Sequence, residues 1–87
     1  MEVYYMPYTV YIHTNKTDDK KYVGITKQEP EKRWNNGSGY KSNRRFYDAI
    51  ERNGWENFSH DIVATGLTKM DAEIMEAELI TQYKSNM

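Results

Sequence analysis

Cysteine is absent from this sequence, and so is any long apolar run. Without cysteine the chain has no disulfide framework, no thiolate metal ligand and no cysteine nucleophile. No apolar stretch approaches the roughly 20 residues that a membrane-spanning helix needs, and no secretory signal opens the sequence. We therefore expect a protein without a membrane segment that resides in the cytoplasm.

A positive net charge, the usual mark of a nucleic-acid-binding protein, is also missing, because the formal net charge is −1. The charges are nevertheless unevenly distributed. Residues 1–60 carry ten Lys and Arg against eight Asp and Glu, whereas residues 61–87 carry two against five. Phosphate contacts require local positive charge rather than a basic total. The distribution by itself favours an ordinary solvated surface and leaves a phosphate-binding face open.

The balance of residue types is that of a globular protein, with 38% hydrophobic and 29% charged residues. The length fits a single domain over residues 1–87. A chain of this size buries only about 60–65% of its unfolded surface, so its core is expected to be thin.

Three segments carry the residue types of β-strands. Residues 8–13 and 21–25 are rich in β-branched and aromatic side chains, and the polar residues between them predict an antiparallel hairpin. Alternating side chains over residues 58–64 predict a third strand. His13 ends the first strand and is expected to be exposed, whereas His60 has the position of a structural residue. Neither has metal-ligand spacing, so no histidine zinc site is expected.

Capping residues and helical spacing predict three helices. The first begins at Pro30, since proline suits the first helical turn. The second is capped by Ser42 or Asn43 and ends at Gly54. With a third helix over about residues 70–83, the order is β-β-α-α-β-α, which indicates one small α+β domain.

A carboxylate interrupts the apolar face of the third helix. Glu76 lies within the stripe that is formed by Ala72, Met75, Leu79 and Tyr83. An unpaired buried carboxylate would cost several kcal/mol, so Glu76 needs a cation or a water-filled cleft. Periodicity leaves two alternatives: a rim glutamate paired with a lysine, or a metal ligand, because Mg²⁺ favours carboxylate oxygen. Tyr11 and Tyr22, in the middle of adjacent strands, have by propensity alone the positions of core or cross-strand residues.

Several short motifs follow one another along the chain. Residues 9–11 (Thr-Val-Tyr) and 22–24 (Tyr-Val-Gly) lie on the two hairpin strands, and Arg33 follows on the first helix. A Gly-Ser-Gly-Tyr loop comes next at residues 37–40, and Glu76 is followed after two residues by Leu-Ile. In this order and spacing the chain resembles the GIY-YIG nuclease family over nearly its whole length.

The resemblance implies a fold, an activity and a cofactor. The fold is a small three-stranded antiparallel sheet flanked by three helices. The activity is that of an endonuclease that hydrolyses DNA phosphodiester bonds with one divalent metal ion, Mg²⁺ or Mn²⁺. Because the chain has no helix-turn-helix pattern, zinc finger or basic tail, we expect a further DNA-targeting domain or subunit.

The resemblance also implies roles for particular side chains. Glu76 holds the metal ion and Arg33 the scissile phosphate, while Tyr11 takes a proton from water or positions it. Tyr22 assists, although the sequence does not separate the two tyrosines, and Tyr40 stands in for a histidine of the family. Of these residues, four are expected to converge on one concave face: Tyr11, Tyr22, Arg33 and Glu76. Nucleic-acid contacts are expected from Lys21, Lys41, Arg44 and Arg45.

The chain departs from the family pattern in two places. Many members carry His or Tyr four residues after the Arg, where this chain has Gly37. Many also place an Asn beyond the glutamate helix, whereas Asn86 comes too early, so the domain either is truncated at its C-terminus or does without this Asn. Two other functions stay open: a catalytically silent nucleic-acid-binding module on the same fold, and a protein-interaction domain.

Overall fold

The predicted order of elements, β-β-α-α-β-α, is confirmed by the computed structural model, which describes residues 6–84. Asn86 lies outside the described residues. The elements are β1 (Tyr8–Asn15), β2 (Lys21–Thr26), α1 (Pro30–Trp34), α2 (Arg44–Asn53), β3 (Phe58–Leu67) and α3 (Lys69–Tyr83). Short 3₁₀ helices at Asn35–Tyr40 and Trp55–Asn57 precede α2 and β3. Within residues 6–84, no helix has the length and apolarity needed to cross a membrane.

The three strands form one antiparallel sheet in the order β2-β1-β3, so β1 is central and β2 and β3 are edges. The register places Tyr11 opposite Gly24, and His13 opposite both Tyr22 and His60. Cross-strand partners point to the same face of a sheet, and so do residues two apart on one strand. All five positions therefore share one face.

Each face of the sheet carries its own core. The face of Tyr11 packs beneath α1, α2 and the 3₁₀ helix between them, in an aromatic cluster made of Tyr11, Tyr22, Trp34, Tyr40, Phe46, Ala49, Ile50 and Phe58. The opposite face packs beneath α3, in an aliphatic cluster centred on Val10, Ile12, Val23 and Ala72. Ile80 joins this second cluster, whereas Tyr83, which was predicted in the same stripe, is 39% exposed.

Side-chain caps begin the two longer helices. Asn43 caps α2, because its side chain accepts a hydrogen bond from the Phe46 amide at 3.3 Å. The alternative cap, Ser42, is not used. Thr68 caps α3 by accepting from the Asp71 amide at 3.1 Å. Gly54 follows the end of α2 with a φ of 85°, which glycine adopts without strain.

Candidate active site

Gly24 determines where the ring of Tyr11 can lie. The ring crosses from the central strand over the edge strand β2, and a β-carbon on Gly24 would lie 2.5 Å from the Tyr11 hydroxyl oxygen. Such a contact is too short for any side chain to be tolerated without moving the tyrosine. The glycine of the Tyr-Val-Gly motif thus provides the space that the tyrosine of the Thr-Val-Tyr motif occupies.

Arg33 and Tyr40 meet Tyr11 on this face of the sheet. The Tyr40 hydroxyl donates a hydrogen bond of 2.9 Å to the Tyr11 hydroxyl. The Arg33 guanidinium lies 4.4 Å from the centre of the Tyr40 ring, and its Nη1 donates to the Gly39 carbonyl. A β-carbon on Gly39 would collide with the Arg33 carbonyl, so this glycine also permits a close approach. The side chains of Arg33, Tyr40 and Tyr11 therefore form one contiguous group.

The two hydroxyls of this group are neutral phenols at neutral pH. Burial raises the pKa of Tyr11, and the nearby Glu76 carboxylate raises it further, whereas the hydrogen bond from Tyr40 and the charge of Arg33 lower it. Burial also raises the pKa of Tyr40, as does its contact with Tyr11. The arrangement can therefore orient a water molecule or hold a phosphate beside Arg33 without an ionised tyrosine.

Glu76 approaches this group from the other side of the sheet. Its helix, α3, packs on the aliphatic face, yet the carboxylate is near enough to act on the pKa of the Tyr11 hydroxyl. Burial raises the pKa of Glu76, and the charge of Glu73 raises it further. Among residues 6–84, no lysine or arginine forms an ion pair with Glu76 and nothing donates a hydrogen bond to its carboxylate. Half-buried and unpaired, it is the side chain of this region best suited to a cation.

A multidentate metal site is not present in the part of the chain that the structure describes. No group of three or more His, Cys, Asp or Glu side chains there could surround an ion. Mg²⁺ keeps several waters and is often held by one or two carboxylates together with substrate phosphate. Glu76, with Glu73 in its electrostatic neighbourhood, fits that kind of site rather than a closed protein cage.

Tyr22 faces a different part of the surface from Tyr11. Its ring stacks on Phe46 with 4.2 Å between ring centres. Burial raises its pKa, which Asp18 raises further and which Arg52 and Arg45 lower. A surface cleft of about 600 Å³ is lined by Tyr22 together with Asp18, Arg45 and Arg52. Of the four residues expected on one concave face, Tyr11 and Arg33 thus lie together with Glu76 within electrostatic range, whereas Tyr22 opens onto a separate basic cleft.

The predicted nucleic-acid-binding residues divide into two groups. Lys21 lies on the α3 side, where it pairs with Asp19 at 3.6 Å and covers the ring of Tyr83. The other three are exposed at the beginning of α2, and Arg45 also lines the cleft of Tyr22. These three are Lys41, Arg44 and Arg45.

Two histidines that were not predicted to be functional, His13 and His60, are connected to this group by hydrogen bonds. The expectation that His13 is exposed is wrong, because β1 continues to Asn15 and His13 is fully buried. Its Nε2 lies 2.8 Å from the Tyr40 hydroxyl, and its Nδ1 lies 2.9 Å from Nδ1 of His60. The spacing of two residues between Tyr11 and His13 was the signal that both point to the same face.

Comparison with known proteins identifies a family whose model matches this chain. The model of one protein family, the GIY-YIG catalytic domain, matches residues 7–87. Neither the curated proteins nor the solved structures give a match. The matched segment contains the whole group described above, including Tyr11, Arg33, Tyr40 and Glu76.

Proposed function

The chain belongs to the GIY-YIG family of nucleases, and on this premise we propose that it is a metal-dependent endonuclease domain that hydrolyses DNA phosphodiester bonds. One observation supports the proposal above all. Arg33, Tyr40 and Tyr11 are in direct contact, and an unpaired carboxylate, Glu76, lies within electrostatic range of them. A packing role alone does not require a cation, two phenols and a carboxylate to be gathered in this way.

Glu76 would hold the metal ion, Mg²⁺ or Mn²⁺. Its carboxylate is half-buried, and its raised pKa reflects burial and the repulsion of Glu73, which a bound cation would relieve. When bound, the ion supplies Lewis-acid stabilisation of the charge on the phosphate and on the leaving oxygen.

Arg33 would hold the scissile phosphate. The Gly39 carbonyl and the face of the Tyr40 ring fix the plane of the guanidinium. A planar guanidinium held in this way keeps further N–H groups for two parallel bonds to phosphate oxygens. Charge-assisted bonds of this kind stabilise the negative charge that grows during phosphodiester cleavage.

Tyr11 would position the attacking water and receive its proton. Full ionisation of an ordinary tyrosine at pH 7 would require roughly 4 kcal/mol, and burial increases that requirement here. We therefore assign Tyr11 the role of a neutral phenol whose oxygen accepts from water. Tyr40 donates to Tyr11 and lies against Arg33, which supports the place of Tyr40 in the same machinery. Tyr22 is 4% exposed and stacks on Phe46, so it would support the packing beneath the basic cleft rather than assist Tyr11 directly.

A catalytically silent nucleic-acid-binding module is the second candidate. The near-complete burial of Tyr11 and Tyr40, each about 1% exposed, favours it, since a catalytic hydroxyl must meet water and substrate. The exposed basic residues at the beginning of α2 would serve either function. In both cases we expect another domain or subunit to select the target.

Two assays on the purified protein distinguish these functions. Nicking of supercoiled plasmid is followed with excess protein in Mg²⁺, in Mn²⁺ and in EDTA, and DNA affinity is measured over a series of salt concentrations. We expect nicking that requires the metal and affinity that falls steeply with salt. Salt-sensitive binding without nicking in either metal would establish the silent module, and no salt-sensitive binding would contradict both candidates.

A further inference from the structure

A continuous chain of hydrogen-bonded side chains runs from Tyr11 through the interior to His60. The Tyr11 and Tyr40 hydroxyls are 2.9 Å apart, and the Tyr40 hydroxyl lies 2.8 Å from Nε2 of His13. Nδ1 of His13 lies 2.9 Å from Nδ1 of His60. Every heteroatom in this path both accepts and can donate a proton.

We propose that this chain is a proton relay that carries the proton taken by Tyr11 from the attacking water to the imidazole of His60. The relay rests on the proposed nuclease function. His13 and His60 do not touch the reacting atoms, so they act through Tyr40 and Tyr11 and are positioning residues for the proton.

The proton balance of the relay is closed. The structure shows the hydroxyls in the orientation that follows a transfer, with Tyr40 donating to Tyr11. Before the transfer each bond points the other way, from Tyr11 to Tyr40, from Tyr40 to Nε2 of His13 and from Nδ1 of His13 to His60. As water attacks, its proton forms a bond to the Tyr11 oxygen, and the Tyr11 proton passes to the Tyr40 oxygen. The Tyr40 proton passes to Nε2 of His13, and the Nδ1 proton of His13 passes to Nδ1 of His60. His60 becomes an imidazolium and returns the proton to solvent from Nε2. This step reverses every hydrogen bond of the relay and leaves Tyr11, Tyr40 and His13 neutral. Both histidines end in their other tautomer, so the relay must be reset before the next cleavage.

The two histidines differ in the way that such a relay requires. His13 is fully buried, and burial together with His60 and Arg33 lowers its pKa to about 3, so it passes a proton on without becoming a cation. His60 is half-exposed and lines a surface cleft of about 390 Å³ with Trp34 and Trp55. Its ring therefore reaches solvent, where an imidazolium is hydrated.

The relay removes one difficulty in using Tyr11 as a base, which is the formation of a phenolate. A phenolate at this position is disfavoured, because burial and Glu76 both raise the pKa of Tyr11. In the relay the Tyr11 oxygen gains one proton as it loses another, so no phenolate forms. The relay thus explains how a buried neutral phenol can accept a proton from water at neutral pH.

The first test is single-turnover nicking by the variants His60→Gln and Tyr40→Phe. Glutamine preserves a hydrogen-bond partner for His13 but does not take up a proton, so a structural role would survive the change. We expect each variant to nick about 10²-fold more slowly, the lower end of the contribution of acid–base catalysis. The double variant should be no slower than the slower single variant, because both break one path. Tyr47→Phe, which removes a hydroxyl beside the same core, is the control and should nick normally.

The pH profile and imidazole rescue separate a relay from packing. His60 faces His13, Asp61 and Lys16, and its surface clefts are shared with Glu29, Glu31 and Lys32. Its pKa is lowered by burial, so nicking by the wild type should persist below the ordinary imidazole range. The groups that face Tyr11 are Arg33, Tyr40 and Glu76. In His60→Gln the remaining route needs ionised Tyr11, so the rate should rise with pH. Free imidazole should restore nicking to His60→Ala, by occupying the space beside Trp55, but not to Tyr40→Phe.

Wild-type nicking by His60→Gln would overturn the relay, and so would a loss in His60→Ala that imidazole does not restore. The imidazole ¹⁵N resonances provide a test that does not depend on cleavage. Tyr11→Phe should shift the nitrogen resonances of His60 relative to Tyr47→Phe. The hydrogen-bonded path links the two residues, so removal of the Tyr11 hydroxyl changes the hydrogen bonding at His60. Unshifted resonances would overturn the relay. Shifted resonances in a protein that fails to nick DNA would reject the nuclease function and support the hydrogen-bonded path.

Discussion

At the scale of the single residue, two close approaches decide the position of the candidate site. Gly24 makes room for the ring of Tyr11, and Gly39 makes room for the backbone and guanidinium of Arg33. The motif residues that sequence reasoning picked out are therefore of two kinds. Tyr11 and Arg33 supply a hydroxyl and a guanidinium, whereas Gly24 and Gly39 lack a side chain and so leave room for these groups.

Gly24→Ala should displace Tyr11 and destabilise the domain. The added carbon would lie 2.5 Å from the hydroxyl and 2.6 Å from the ring carbon that bears it. Overpacking of this kind typically costs about 1–3 kcal/mol. Urea unfolding measures the loss, and Ser42→Ala at an exposed position is the control. Unchanged stability in Gly24→Ala would show that the ring does not occupy this space.

Arg33→Lys should slow cleavage far more than it weakens DNA binding. Lysine keeps the charge but loses the planar fork, and a lost transition-state contact of this kind typically costs about 10²–10³ in rate. Other basic residues share the non-specific affinity, so binding should change little. Single-turnover nicking and DNA affinity are measured at one salt concentration, with Lys32→Gln on the same helix as the control. Near-normal cleavage with a lowered melting temperature would reduce Arg33 to a packing role.

At the scale of the element, local signals predicted most of the fold. Caps, proline and alternation gave the helices and strands, because each depends on neighbours in sequence. The end of β1 was missed for a physical reason. Asn15 has the polarity of a turn residue, yet it is 1% exposed and accepts a hydrogen bond of 2.9 Å from Asn57. A partner 42 residues away satisfies its side chain, and no local pattern contains that information.

Asn43→Ala should destabilise the domain by about 1 kcal/mol, the typical loss of a helix cap. Its side chain accepts from the Phe46 amide, which would otherwise lack a partner at the beginning of α2. Ser42→Ala is the matched control, since the sequence alone did not separate these two neighbours. The free energy of unfolding in urea should fall for the first variant and hold for the second. The reverse result would assign the cap to Ser42.

At the scale of the whole molecule, the residues of the candidate site come from both faces of the sheet. Tyr11 and Arg33 belong to the aromatic face, and Glu76 belongs to a helix on the aliphatic face. The sequence predicted all three residues, and it predicted correctly that Glu76 interrupts an apolar stripe. It did not predict the route by which Glu76 approaches Tyr11, nor the link to His13 and His60. Both depend on how β3 and α3 pack against the hairpin, which is set by contacts distant in sequence.

The stability of the domain should fall as the pH drops from about 6.5 toward about 3, because His13 is buried as a neutral imidazole with a pKa of about 3. The unfolded chain binds a proton at an ordinary histidine pKa, whereas the folded chain does not. The stability that depends on a neutral His13 is therefore fully present above pH 6.5 and is lost progressively as the pH falls toward about 3. Urea unfolding at pH 7 and at pH 4 measures the difference, which His13→Gln should reduce. Equal dependence on pH in the two proteins would contradict the burial of a neutral His13.

Whether Glu76 serves cleavage rather than folding is tested most directly by Glu76→Gln. Its raised pKa means that the ionised carboxylate opposes folding once the pH exceeds that pKa, so the variant should be at least as stable as the wild type at pH 7. Glu78→Gln, an exposed neighbour on α3, is the control. We expect Glu76→Gln to lose metal-dependent nicking while it stays folded and binds DNA, and Glu78→Gln to nick normally. Unchanged Mg²⁺-dependent nicking by Glu76→Gln would contradict the account.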